Sequence, residues 1–292
     1  MRALIFGTTG QVARELARTA PPGVEILAFG RAEADLSDPA ACAAAVAARD
    51  ADVVINAAAY TAVDQAEDEP GLAHAINAEA PGAMARAAAA KGVPFLHVST
   101  DYVFDGAPGR AWREDDPTGP LGAYGASKLA GEQAVAQAGG DHVILRTAWV
   151  FSSHGRNFVK TMLAYGRDRD EMRVVGDQRG GPTPAADIAL ALWNIAAARH
   201  AGAGAPGVYH FAGAPSVSWA EFAEGIFAAS GWARAPRVTA IATADWPTKA
   251  SRPANSVLDC GAIGRVFGIA QPDWRAGLAR VVAELSKETA AS

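Results

Sequence analysis

The sequence predicts an α/β fold: a doubly wound parallel sheet with a smaller C-terminal α/β lobe. Three observations predict it. Short aliphatic runs alternate with longer alanine-rich runs through the first half, a glycine-rich turn follows the first of them, and Gly and Pro become denser after Trp149. Alternation of this kind builds βαβ units, whose strands are covered on both faces and therefore read as nearly continuous apolar runs.

Taken in order, the first strand is Arg2–Phe6, and it ends at Gly7 with a helix beginning near Gln11. Further strands follow at 24–28, 52–55, 93–98 and 142–146, with helices starting near Pro39, Gly71 and Gly122. Asp38 before Pro39 marks one start mechanistically, since an acidic N-cap satisfies a free N–H and proline loses nothing in the first helical turn. Beyond Trp149 the stretches GDQRGGPTP, AGAGAPG and SRPAN separate shorter elements. Helices are expected there at 157–165, 185–199, 219–230 and 274–285, and strands near Arg173 and Val208. No internal repeat is visible. Residues 1–150 thus carry the sheet, and 151–292 form mainly a lobe against its carboxyl edge, where open α/β sheets bind ligands; some segments of 151–292 return to the sheet.

Composition narrows the function. The 292 residues are 50% hydrophobic and 20% charged, an ordinary globular balance, and the net charge of −5 comes with no basic stripe. Nucleic acid is a poor partner for such a surface. Cys42 and Cys260 form no CxxC pair, which offers neither a zinc site nor a disulfide framework and fits a reduced cytosol. The first apolar run breaks at Gly7, too soon for a signal peptide. The longest later run, 188–198, is interrupted by Asn194 and falls short of the ~20 residues that span a bilayer. A cytoplasmic location without membrane partners is expected. None of the six histidines forms an HxxxH metal pair, and no metal ligand is assigned.

The turn after the first strand reads GTTGQVA, with Gly7 and Gly10 in the first two positions of a GxxGxxG spacing and Ala13 in the third. Gly7 permits a tight turn and Gly10 a close approach to pyrophosphate. Thr9, Gly10, Gln11 and Val12 lie where free N–H groups and the positive end of a helix meet the anion. Alone, such glycines are as easily an ordinary turn; after an N-terminal strand and before a helix they mark a Rossmann-type dinucleotide site. At the end of the second strand stands Arg31 rather than an acidic residue, which favours the 2′-phosphate of NADPH, with NADH still possible. Asp35 and Leu36 follow where they border the adenine.

Tyr124 and Lys128 lie four positions apart in YGASK, on one face of a helix. A neighbouring ammonium favours phenolate, and lowering the tyrosine pKa by about 2 to 3 pH units corresponds to roughly 3 to 4 kcal/mol. Tyr124 would then be a general acid or base near its best operating pH. After the fourth strand, Ser99 or Thr100 in VSTDYVFDG places a hydroxyl at the carboxyl edge of the sheet, where it could bond a substrate oxygen together with Tyr124. The pair by itself is equally an amphipathic helix with a surface lysine; it gains its meaning from the phosphate loop and the hydroxyl.

These parts resemble an extended short-chain dehydrogenase/reductase. The segments NAAAYTAVDQAE from Asn56, STDYVFDG from Ser99, YGASKLAGE from Tyr124, RTAWVF from Arg146, NFVKTM from Asn157, GDQRGGPT from Gly176 and RPANSVLD from Arg252 resemble, nearly end to end, the dTDP-4-dehydrorhamnose reductase family. The resemblance implies NAD(P)H-dependent reduction of the C4 ketone of dTDP-4-dehydro-L-rhamnose, the last step of dTDP-L-rhamnose synthesis. It implies Thr100, Tyr124 and Lys128 as the catalytic trio, with Tyr124 and Lys128 also binding the cofactor (Lys128 at the nicotinamide ribose), Ala57, Ala58, Ala59 and Tyr60 beside the cofactor, and Val63, Tyr102 and Trp149 beside the sugar, where Thr100 and Tyr124 also make contact. Asn157, Thr183 and Arg252 are candidate contacts to the nucleotide or its diphosphate, in competition with loop and cap roles. Related 4,6-dehydratases carry an Asp-Glu pair after the threonine; here Asp101 is followed by Tyr102, so water elimination lacks its base. Some members bind Mg²⁺ at a dimer interface, and no matching acidic cluster is recognised, so Mg²⁺ and the choice of monomer or homodimer stay open. Two rival readings remain: a reductase or epimerase of another nucleotide sugar, and a non-catalytic regulatory subunit of the methionine adenosyltransferase type.

Overall fold

In the computed structural model, six strands pair side by side, all parallel: β1 (Arg2–Phe6), β2 (Glu25–Phe29), β3 (Val53–Asn56), β4 (Phe95–Thr100), β5 (His142–Thr147) and β10 (Gly207–His210). The structure describes residues 1–107 and 109–291, and the side chains of these except at 288–291. The strand order is β10-β5-β4-β3-β1-β2. The chain therefore reverses its direction of travel between β1 and β3, and the loops that leave these two strands open a crevice at their carboxyl ends. Every residue of β3 is buried, as expected for a strand covered on both faces.

One face is covered by α1 (Gln11–Arg18) and α7 (Ala185–His200), whose Val12, Leu16, Ile188, Leu192 and Trp193 join the main core. Trp193 Nε1 donates to the Leu16 carbonyl at 3.2 Å and fixes the two helices together. The other face carries α2 (Pro39–Ala47), α4 (Ala80–Ala90) and α5 (Ala123–Gln137), packed through Cys42, Val46, Met84 and Val135. The Asp38 carboxylate accepts the Ala41 N–H at 3.0 Å with Pro39 in the first turn, which is the cap the sequence predicts. The helix expected near Gly71 begins as α3 (Pro70–His74) and passes through a π-helical turn at Ala75–Glu79 into α4.

The lobe has its own core of Phe151, Val159, Met162, Phe222, Ile226 and Trp274, among others. It is built on α6 (Phe158–Gly166), α8 (Trp219–Ala229) and α10 (Trp274–Ala291), with β7 (Glu171–Val175) pairing β12 (Arg237–Ile241). Short pairs complete it: β6 (Val150–Phe151) with β9 (Thr183–Pro184), and β8 (Arg179–Gly180) between β11 (Val217–Ser218) and β13 (Asn255–Ser256). Here the strand near Val208 and the helix at 185–199 belong to the sheet rather than to the lobe, as does α9 (Gly261–Phe267), whose Ile263 sits in the main core. No helix among the described residues is long and apolar enough to cross a membrane. Cys42 and Cys260 are buried free thiols, pushed up to about 11 and about 12 by burial.

Candidate active site

The glycine loop occupies the crevice between β1 and β3. Gly7 has φ +114°, and a Cβ there would lie 3.3 Å from the Ala13 Cβ and 3.4 Å from the main chain of Ala57 and Ala58. A side chain is excluded twice, by backbone conformation and by the neighbouring turn. Thr9 and Gly10 are exposed, and Gly10 caps α1 without any side-chain cap. The first N–H groups of α1 thus stay available to an anion. Val12 contributes its side chain to the core, so only its main chain faces that function. These features fit a dinucleotide diphosphate.

Around the same crevice, Arg31 projects a side chain that is 84% exposed, within 4.0 Å of Asp35. Asp35 Oδ1 accepts the Ser37 N–H at 2.9 Å, which holds its carboxyl below the ordinary range, and Leu36 packs against the core under α2. An exposed guanidinium at this strand end, loosely paired with Asp35, can meet a 2′-phosphate. The Ala57–Tyr60 segment is held rigidly: Ala57 N–H donates to Phe6 O (3.0 Å), Ala58 N–H to Asn56 Oδ1 (3.1 Å), and Tyr60 exchanges two main-chain bonds with the Asn77 amide. The Tyr60 hydroxyl donates to Glu69 at 2.8 Å.

Thr100 ends β4. Its hydroxyl donates to Asp101 Oδ1 at 3.0 Å and accepts the Tyr102 N–H at 3.2 Å. Burial pushes the Asp101 carboxyl up to about 6, opposed by the Ser256 and Thr100 hydroxyls. Tyr124 stands in the first turn of α5 with its ring edge-on to Tyr102, centroids 5.6 Å apart. Both rings line a small cleft with Val63, Glu67, Leu121 and Pro253. The sugar-side candidates Val63 and Tyr102 are therefore brought to Tyr124.

One expectation needs correction. The Tyr124 hydroxyl is not acidified by Lys128: burial pushes it up to about 12, the Thr100 hydroxyl works in the opposite direction, and Asp101 pushes it further up. The reason is where the lysine points. The residue is 2% exposed and its side chain reaches inward from α5 to β4, where Nζ donates to the Val98 carbonyl at 2.7 Å and lies 3.3 Å from His97 Nε2. Burial lowers Lys128 to about 8 against the opposing pull of Glu132. Four-residue spacing put the two side chains on one helix face, yet their polar ends find different partners.

The remaining candidates divide. Trp149, at φ +49°, stacks on Trp219 with centroids 3.5 Å apart, and its indole leaves no room for a Cβ at Gly180. Arg252 Nη2 pairs with Asp64 at 2.7 Å near the cavity. Asn157 is committed to structure: Oδ1 caps α6 at Lys160 N, and Nδ2 donates to Ser152 O, His154 O and Gln11 Oε1. Thr183 is 0% exposed, its hydroxyl donating to Gly181 O and accepting the Gly213 N–H, so it braces the frame and presents nothing to a nucleotide. Residues the sequence reading passed over are Glu67, which accepts the Ala123 N–H at 2.8 Å and caps α5, and the buried pair Asn56 and His97. Asn56 and Glu67 lie within the quoted NAAAYTAVDQAE segment, but nothing in its spacing distinguishes them. Among the described residues no group of three or more His, Cys, Asp or Glu side chains is gathered as a metal ion requires.

The sequence pattern of the family described as RmlD substrate binding domain matches residues 1–287. The chain belongs to this family. A dTDP-4-dehydrorhamnose reductase of Sinorhizobium fredii is 45% identical over 286 residues, covering 97% of each chain, and one of Burkholderia thailandensis is 45% identical, covering 98% of this chain and 99% of its own. The crystal structure of a dTDP-4-dehydrorhamnose reductase from Bacillus anthracis, in complex with NADP, superposes with a TM-score of 0.90 at 34% identity, covering 97% of this chain and 99% of its own.

Proposed function

We propose that the protein reduces the C4 ketone of dTDP-4-dehydro-L-rhamnose to dTDP-L-rhamnose with NADPH. The observation that carries the reading is that Tyr124 and Tyr102 line one cleft, with the Thr100 hydroxyl bonded to the Tyr102 N–H and acting on Tyr124, in a chain whose relatives, matched over nearly their full length, are named for this reaction. Gly7, Thr9, Gly10, Gln11 and the start of α1 hold the diphosphate, Arg31 takes the 2′-phosphate, and Ala57–Tyr60 walls the crevice. When bound, the reduced dinucleotide supplies a hydride.

The chain's own residues manage the proton. A hydroxyl held near 12 stays protonated at neutral pH, so Tyr124 is a donor ready for the oxygen of the ketone as negative charge gathers there. Thr100 sits beside it to orient that oxygen. The resulting phenolate is a far stronger base than the Lys128 amine near 8, so proton return from the lysine runs downhill. Val63, Tyr102 and Trp149 border the sugar, and Arg252 faces the nucleotide side.

The test is a mass balance: purified protein, NADPH and dTDP-4-dehydro-L-rhamnose, followed by NADPH absorbance and product identification. One NADPH consumed per dTDP-L-rhamnose is expected. Isomerised sugar with no NADPH consumed would make the protein an epimerase, and absence of any turnover would remove the assignment.

A further inference from the structure

Beneath α5, between β3 and β4, a chain of buried polar groups leads to Lys128. The Ala58 N–H donates to Asn56 Oδ1 at 3.1 Å, which fixes the amide and turns Nδ2 toward His97 Nδ1, 3.1 Å away. An amide nitrogen only donates, so Nδ1 accepts. Asn56 and His97 are both 0% exposed, and burial, followed by the charge of Lys128, holds the imidazole well below its ordinary pKa. The ring is neutral with one proton, and that proton is left on Nε2. Nε2 lies 3.3 Å from Lys128 Nζ, whose other partner is the Val98 carbonyl. A neutral amine matches this site by accepting from Nε2–H while donating to Val98. An ammonium has no lone pair and meets that N–H with one of its own.

We propose that Asn56 and His97 are positioning residues that set the protonation of Lys128: the amide selects the imidazole tautomer, and the Nε2–H of that tautomer favours the amine. Its consequence for turnover rests on the reductase reading above; the lysine chemistry does not. The lysine's value near 8, caused first by burial, has the sign the tautomer demands. Other charges facing it are accounted for. Glu132, one turn further along α5, favours the ammonium, but its carboxylate already takes Ser99 Oγ at 2.6 Å and Arg146 at 2.7 and 2.9 Å. Asp101 acts on Tyr124, one turn before the lysine, and β3 contributes only the uncharged Asn56. An ammonium destabilised in this way gives its proton to the Tyr124 phenolate more readily than an ordinary lysine.

The experiment reads nitrogen directly. In ¹⁵N-labelled wild-type protein without cofactor, the His97 proton is expected on Nε2. Asn56→Asp keeps the acceptor for Ala58 and replaces the donor by a carboxylate, so the proton should move to Nδ1 and expose the Nε2 lone pair to Lys128. The Lys128 titration midpoint should then rise by about one pH unit or more, and the alkaline limb of kcat/KM with it. His97→Gln, whose amide can turn its oxygen to the ammonium, should shift the midpoint the same way without adding charge. A wild-type ring protonated on Nδ1 overturns the proposal, as does a midpoint that stays in place in folded variants. If both variants fail to fold, the wild-type tautomer alone decides. Loss of the reductase reading would show as absent wild-type turnover, with tautomer and midpoint still as described.

Discussion

Tyr124 and Lys128 make opposite demands on the fold, because one is kept protonated by burial and the other is driven toward losing its proton. Tyr124→Phe is expected to lower kcat by about 10²- to 10⁴-fold, while NADPH affinity, read by fluorescence titration, stays close to that of the parent; equal turnover would free Tyr124 of its assigned role. Lys128 has a folded value near 8, below its ordinary 10.5. Between these values the unfolded chain holds more protons than the folded one, so stability rises with pH across that window, and below it the buried ammonium costs on the order of 3 to 4 kcal/mol. Lys128→Met should therefore be more stable than the parent at pH 7 by up to about that amount, lose the slope above pH 8 in urea melts, and be severely impaired in turnover. A less stable variant would show that the lysine holds the fold together. At this scale the sequence identified the reacting side chains through their spacing. Its expectation that Lys128 acidifies Tyr124 failed, because the proton affinities follow first from burial, with Thr100 and Asp101 acting on Tyr124 and Glu132 on Lys128.

The helix α5 packs closely on the turn after β4 and on the π-helical turn through two glycines. A Cβ at Gly125 would stand 2.2 Å from the Tyr102 carbonyl oxygen, and one at Gly131 would stand 2.0 Å from that of Asn77. These approaches set how deeply Tyr124 and Lys128 sit. In an exposed helix, Gly→Ala gains about 1 kcal/mol. Gly131→Ala should instead lose roughly 1 to 3 kcal/mol in urea denaturation by overpacking, and lower kcat as α5 is displaced, since a shift near 1 Å costs about 10² in rate. Stabilisation on the scale of an ordinary helical site would show that the contact yields easily. The elements themselves were readable from alternating apolar runs and from signals such as Asp38-Pro39. The π-helical turn at Ala75–Glu79 and the short pairs β6/β9 and β11/β8/β13 were not, because two-residue strands are made by distant partners and leave no periodicity.

The two parts of the molecule are joined at the ends of the site. Gln11, directly after the phosphate loop, accepts from Ser152 and Asn157 of the lobe at 2.9 and 3.0 Å. On the other side Asp64 takes Arg252 Nη2 at 2.7 Å and the Ala250 N–H at 3.0 Å, closing the 249–252 segment over the cavity lined by Val63 and Tyr124. Arg252→Ala should leave kcat nearly unchanged and raise the KM for the sugar nucleotide about threefold to tenfold, the equivalent of roughly 1 kcal/mol for a partly exposed pair. Hydrogen exchange at 249–254 should quicken in the same variant. If KM and exchange both stay at parent values, the pair does not organise the site.

By itself the sequence determined the doubly wound sheet, the glycine loop at its first turn, the Tyr124–Lys128 pair and the family resemblance. Each of these is written in local spacing, which fixes backbone conformation or places two side chains on one face. Tertiary structure alone decided that β10 completes the sheet and α7 covers it, that Thr183 and Asn157 serve as braces, and that the Lys128 amine lies against His97 and the Val98 carbonyl. Those outcomes depend on which buried polar groups find partners across gaps of tens of residues. Desolvation makes such partners obligatory, but no local pattern names them.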